Sequence, residues 1–186
     1  MVALENARDL LAECRRGNRE AFHALFVLYK DKVYSIALHY SGGAQGAMDI
    51  TQDVFVKLCT RIGEFRGESS FDSWLYRIVV NCCLDQRRRL RRIVPLAGEL
   101  VERMLCPRES PVAGLEREEI RERVQGAVAK LSPELRIAVV LRYTQGLSYD
   151  EIGEALGVPP GTVASRLSRA HKELARRLAF LEKHHV

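Results

Sequence analysis

The sequence predicts an all-α fold: two small helical domains joined by a flexible linker, the C-terminal one containing a helix-turn-helix. Three observations carry this. Apolar residues recur with the helical period through almost every patterned segment, and no segment alternates as a strand does. Between Ile93 and about Leu115 the pattern dissolves, punctuated by Pro95, Gly98, Pro107, Pro111 and Gly114. Beyond it, Leu147 to Lys172 has the layout of two helices joined by a tight turn.

Leu4, Ala7, Leu11 and Cys14 mark a first helix, stopped by Gly17-Asn18. Phe22, Leu25, Phe26, Tyr29, Val33, Ile36, Ala37 and Tyr40 mark a long second helix, broken at Ser41-Gly42-Gly43. Ile50, Val54, Leu58 and Ile62 mark a third. Phe71, Trp74, Leu75, Ile78, Val79 and Cys82 mark a fourth, able to run into the arginine cluster near Arg92. Within the linker the sequence leaves room for a short helix from Glu99 to Leu105. Helical periodicity resumes with Ile120, Val124, Val128 and Leu131. Ser132-Pro133-Glu134 caps the next helix, which is apolar on both sides and therefore expected to be mostly buried. The expected domains are 1–92 and 118–186, with 93–117 as linker.

The C-terminal pair is the sharpest signal. Ser148 and Glu151 form a capping box, so a helix starts at Tyr149 with Ile152, Ala155 and Leu156 on one face. Gly157 supplies the left-handed residue that ends it. A second helix begins near Pro160 and buries Val163, Leu167, Ala170 and Leu174. Its other face carries Thr162, Ser165, Arg166, Ser168, Arg169 and Lys172, the hydroxyls and cations that contact phosphates and base edges. A solvated hairpin would explain the charge alone, but not the charge together with the cap and the glycine turn.

Composition agrees with a nucleic-acid partner without proving one. The 186 residues carry a net charge of +5. The first 92 residues hold 15 Lys/Arg against 11 Asp/Glu, and residues 118–186 hold 11 against 9. Residues 93–117 are slightly acidic, with 3 against 4. The five cysteines show no C-x-x-C pair, so zinc is not expected, and most should be buried thiols in a reducing compartment. Cys106 falls in the linker. No apolar run is long enough to span a membrane, so a cytoplasmic protein is expected.

In the first domain, Arg77, Asn81, Asp85, Arg88 and Arg92 lie along one line of the fourth helix, and Gln86 to Arg92 holds five arginines. Ahead of it, Phe65-Arg-Gly-Glu-Ser-Ser-Phe71 is a short polar loop. It is either a plain turn with both phenylalanines in the core or a receptor for an unstacked base. The third helix presents Asp49, Gln52, Asp53 and Lys57 on a polar side, with Phe55 at its border. Such an acidic surface is either solvated or docks a basic partner.

These residues, in order, resemble a bacterial RNA polymerase sigma factor of the extracytoplasmic-function class, over nearly the whole chain. Asp49 to Leu58 is similar to the family's clamp-binding helix, and Phe65 to Ile78 with Asn81 and Asp85 to its −10 promoter segment. Leu131 to Arg136, Gly146 to Gly153 and Gly161 to Arg166 are similar to its −35 domain. The resemblance implies that Asp49, Gln52, Asp53 and Phe55 meet the β′ clamp of core RNA polymerase. It implies that Arg66, Gly67, Glu68, Ser69, Ser70 and Asn81 hold a flipped −10 base while Arg77, Arg88 and Arg92 track backbone. Thr162, Ser165, Arg166, Ser168, Arg169 and Lys172 would face the −35 element. It also implies contact with the β flap, an anti-sigma partner, and no cofactor, metal or catalysis. The chain departs from many relatives at Ala164, where a basic residue is common, and at Ser168. A conventional repressor would instead need a ligand pocket with convergent polar groups in the first domain. An enzyme would need a nucleophile–base pair, a phosphate loop or a metal cluster, none of which stands in the sequence.

Overall fold

In the computed structural model, which describes residues 2–93 and 115–179, the backbone is helical almost throughout. Among the described residues, four helices form the first half, α1 (Val2–Arg15), α2 (Arg19–Ser41), α3 (Ala44–Arg61) and α4 (Phe71–Ile93), with a 3₁₀ turn at Ile62–Glu64. The described part of the second half holds α5 (Leu115–Ala129), α6 (Pro133–Gln145), α7 (Tyr149–Leu156) and α8 (Pro160–Leu178). Helix therefore reaches into the expected linker from both ends. The suggested helix at Glu99–Leu105 and the thiol of Cys106 lie outside the described residues.

Local chemistry sets the boundaries. Asn18 has a second role beside ending α1: its side-chain oxygen accepts from the backbone N–H groups of Glu20 and Ala21 at 3.0 and 3.2 Å, so it caps α2. Ser132 caps α6 by accepting from Leu135 N–H at 3.4 Å, with Pro133 in the first turn.

The core of the first half comes from Leu25, Ile36, Ile50, Leu58, Leu75 and Val79, all essentially inaccessible. That of the second comes from Leu131, Ile137, Leu141, Ile152 and Leu167. Each such side chain contributes roughly 1.5–3 kcal/mol through burial. The sequence suggests two separate cores, but the buried side chains form one continuous cluster. Helix α6 packs on α2, and α7 packs on α4. That junction explains why α6 is apolar all round: Leu135 and Ile137 to Leu141 are buried, and even Arg136 is only 4% exposed.

Candidate nucleic-acid and polymerase interfaces

The loop before α4 is anchored by aromatic rings at both ends. Phe65 meets Phe71 edge-on with centroids 5.5 Å apart and Trp74 at 5.4 Å, and Phe71 also meets Tyr29 at 5.3 Å. Arg15 lies over the Phe65 ring, 5.6 Å from its centroid, and donates to the Phe65 carbonyl. Between these anchors Arg66, Gly67, Glu68 and Ser70 are exposed and Ser69 is half-buried. Gly67 takes a left-handed φ of 76°. Phe65 is buried in the core, Phe71 packs against it, and the polar tip between them stands clear. Ser70 is engaged locally, because its hydroxyl accepts from Ser73 N–H at 3.1 Å and donates to Ser73 Oγ at 2.9 Å, capping α4.

Beside the loop, Lys32 pairs with Asp72 at 2.8 Å, and Tyr29 donates to the same carboxylate at 3.4 Å. Burial first, then the Asp72 charge, push the Tyr29 hydroxyl up to about 12. Burial works against the Lys32 charge, but Asp72 and Tyr76 outweigh it and raise its pKa. Tyr29 therefore stays neutral and Lys32 charged around neutral pH.

Along α4, Leu75, Ile78, Val79 and Cys82 face inward while Arg77, Asn81 and Arg88 are exposed, three helical turns on one side. Arg77 is engaged: its Nε donates to the Glu154 carbonyl at 2.9 Å. Asp85 takes Lys57 at 3.4 Å and Arg88 at 3.5 Å. The side chain of Arg92 lies outside the described ones. Burial raises the thiol pKa values of Cys82 and Cys83, which leaves them protonated and unreactive.

On α3, Asp49 is exposed and accepts from Gln45 at 3.1 Å, and Gln52 is exposed. Asp53 is paired with Arg89 at 3.0 Å. Phe55 is not a border residue: it is 7% exposed and meets Phe26 edge-on at 4.7 Å. The sequence places it near the boundary because the helical period cannot register how deep α2 and α3 sit together. What stands beside the acidic row is an apolar groove of about 580 Å³, floored by Phe22, Phe26, Tyr34 and Phe55 and edged by Met48 and Val56. Met48 and Val56 are 58% and 56% exposed, an arrangement of unpartnered apolar side chains beside carboxylates. It lacks the convergent polar groups of a ligand pocket. Sequence reasoning missed Met48 and Val56, although both lie one helical step from Gln52.

In the second half, Ser148 accepts from Glu151 N–H at 3.2 Å, and the Glu151 carboxylate takes the Ser148 N–H at 2.7 Å. That N–H, then the hydroxyl, hold the Glu151 carboxyl below its usual range. Gly157 ends α7 at a φ of 65°. Gly153 was not singled out from sequence, yet a Cβ there would lie 2.8 Å from the Val158 carbonyl. It lets the turn fold back against its own helix.

On α8, Val163, Leu167 and Ala170 are buried. Ser165, Ser168, Arg169 and Lys172 are exposed, and Thr162 and Arg166 are half-buried. Ser165 donates to the Thr162 carbonyl at 2.9 Å. Arg166 and Arg169 share a shallow cleft of about 360 Å³ with Glu134 and Glu173. Two contacts unread in the sequence brace this unit: Arg142 donates to the Leu147 carbonyl at 2.7 Å, and the Tyr143 hydroxyl meets His171 Nε2 at 2.7 Å. Among the described residues no cluster of His, Cys, Asp and Glu could hold a metal ion, and no helix is long and apolar enough to cross a membrane.

Comparison with known proteins gives a consistent picture. The Sigma-70 region 2 family model matches residues 25–93, and that of Sigma-70, region 4 matches residues 121–174. The chain is 32% identical over 186 residues to the RNA polymerase sigma-H factor of Pseudomonas aeruginosa, covering 96% of both. It is 33% identical over 173 residues to the ECF RNA polymerase sigma-E factor of Escherichia coli K12, covering 89% of this chain and 90% of the relative. Among solved structures, CnrH in complex with the cytosolic domain of CnrY matches with a TM-score of 0.67 at 25% identity, over 95% of this chain and 97% of that one. The sigma factor RpoE of Bartonella quintana, in complex with the anti-sigma factor NepR, matches with a TM-score of 0.64 at 25% identity, over 85% and 96%.

Proposed function

We propose a division of labour among the surfaces of this chain, which belongs to the sigma-70 family, in its extracytoplasmic-function class. As such a sigma factor it binds core RNA polymerase, recognises −10 and −35 promoter elements and directs transcription initiation. Residues 1–92 form the part that holds polymerase and the −10 element, 93–117 the linker, and 118–186 the −35 reader.

The loop tip Arg66–Ser69 with Asn81 receives a −10 base. Ser70 supports it by capping α4. Arg77, Arg88 and Arg92 track phosphates, whose contacts position rather than specify. On α8, Arg166 and Arg169 with Ser165, Ser168, Thr162 and Lys172 address the −35 element. Asp49, Gln52 and Asp53 meet the basic β′ clamp, with Phe55 acting from below as the floor of the adjoining apolar groove. The second half also meets the β flap. The protein works in the cytoplasm, where the polymerase acts, without catalysis of its own. Control by an anti-sigma factor is supported by the solved relative RpoE, which is in complex with the anti-sigma factor NepR.

The observation that carries this reading is the aromatic-anchored polar loop on a basic helix, in the same chain as a capped helix-turn-helix. It is tested by adding the protein to core polymerase with promoter fragments of its own genome. Promoter-specific transcripts are expected, and their absence together with absent core binding would sink it. Arg166→Ala should cost about 1–3 kcal/mol on the preferred −35 site and much less on scrambled DNA, measured by titration. An equal loss on both would make Arg166 a phosphate contact.

A further inference from the structure

Helix α1 lends one side chain to the loop before α4. Leu11 and Cys14 are buried, and α1 packs against the 3₁₀ turn at Ile62–Glu64. Arg15, the last residue of α1, thereby reaches the start of the loop. Its guanidinium donates to the Phe65 carbonyl and lies 5.6 Å from the Phe65 ring centroid. The neighbouring Arg16 is paired instead with Glu13, which also takes Asn18 at 3.3 Å.

The Phe65 carbonyl is where the loop takes its direction. Phe65 closes the 3₁₀ turn with φ −68° and ψ 108°, and its N–H donates to Ile62 at 3.3 Å. Its carbonyl shares one rigid peptide plane with the N–H of Arg66. Holding that oxygen fixes ψ of Phe65, and so the direction in which the chain leaves for the tip. The far end is fixed by α4 itself. The Ser70 carbonyl takes the Trp74 N–H at 3.1 Å, and the Ser70 hydroxyl takes the Ser73 N–H at 3.1 Å. Between the two fixed planes stand Arg66, Gly67, Glu68 and Ser69. Among the described residues, Arg15 is the one donor from another element that bonds a backbone group of residues 65–69. Ring packing of Phe65 sets where the loop starts, and Arg15 sets which way it points.

We propose that Arg15 is a positioning residue for −10 recognition: it holds the Arg66–Ser69 tip in the geometry that receives the unstacked base, without touching the DNA itself. The proposal rests on the assignment of this tip to the −10 base. A loop that is not held samples other directions. Only the correctly aimed fraction takes the base, and affinity falls by that fraction. A guanidinium suits the task because one flat group serves both the ring face and the carbonyl. Lysine keeps the charge but has no plane to lay on the ring.

The test uses holoenzyme assembled from core polymerase and the full chain. One probe is a single-stranded −10 fragment of a promoter that wild-type holoenzyme transcribes. The others are the same fragment with an abasic site at each position in turn. Wild type should prefer the intact fragment to the one lacking the captured base. Arg15→Gln should bind the intact fragment about 10-fold more weakly, if its loop is correctly aimed in roughly one molecule in ten. It should bind the abasic fragment as wild type does, so the preference collapses. Arg15→Lys should fall between. Melting temperature, core-polymerase affinity and binding of −35 duplex should stay at wild-type values. An equal loss on both fragments, with a log–log salt slope smaller by about 1, would make Arg15 a phosphate contact and overturn the proposal. So would an unaltered preference. If Arg15→Gln melts lower, Arg15→Lys, which keeps the cation at the end of α1, decides by the same comparison. A preference lost only in variants that also melt lower would reduce Arg15 to a brace of the fold. Replacing Arg66 and Ser69 together by alanine separates the failures. If that double variant keeps the preference, the tip is not the base receptor. If it loses the preference while both Arg15 variants keep theirs, the role of Arg15 alone falls.

Discussion

Ser148 and Glu151 show how much one short pattern can do. The hydroxyl and the carboxylate each satisfy a backbone N–H that the start of α7 would leave orphaned. Ser148→Ala should cost about 1 kcal/mol in a thermal melt. The folded protein lowers the Glu151 pKa, so its contribution is complete above the ordinary value of 4.5 and fades as pH falls through the lowered one. Melts from pH 7 to pH 3 should show that loss, and Glu151→Gln should lack it. Gly153 works by absence instead. A methyl group there would press on the Val158 carbonyl, which is backbone and cannot swing aside. Gly153→Ala should destabilise by about 1–3 kcal/mol and weaken −35 binding, both measurable on the purified chain. Unchanged melting would mean that the turn relaxes freely. The capping box was legible because both partners are local in sequence. The role of Gly153 was not, because the atom it spares lies across a turn.

At the scale of elements, α3 and α4 are tied by alternating charges. Asp53 holds Arg89, and Asp85 holds both Lys57 and Arg88. These pairs are largely exposed, so each contributes at most about 1 kcal/mol. They stitch the acidic row to the arginine run, and a clamp that takes Asp53 competes only with a weak internal partner. Asp53→Arg should reduce core-polymerase affinity severalfold or more in a binding titration while leaving DNA binding by residues 118–186 of the chain intact. Undiminished polymerase binding would refute the docking role of the acidic row. The existence and order of the helices were readable, since period, cap and glycine stop are all properties of neighbours, whereas the starts of α3 at Ala44 and α5 at Leu115 were not marked by periodicity. The apolar groove beside the row was not, because it needs Phe22 and Tyr34 of α2 to meet Met48 and Val56 of α3.

Across the whole molecule, the two halves share one apolar cluster rather than standing apart. A chain packed in this way should melt in a single transition at low salt. Arg136→Gln should broaden or split the transition in a calorimetric scan, because the halves then unfold without each other's support. A wild-type profile already split in two would count against the shared core. The sequence by itself determined the all-helical class, the order of the elements, the capped helix-turn-helix and the polar loop on a basic helix. Each depends on residues within a few turns of one another, where periodicity and capping chemistry act. Only the tertiary structure decided that Phe55 is a floor rather than an edge, that Ser70 is a cap, and that Asp53 already has a partner. It alone set Arg136 onto Tyr40 and Arg77 onto Glu154. Those pairings join residues 96 and 77 positions apart. No local pattern encodes them, because a helix C-terminus accepts a cation from any neighbour that packing brings within reach.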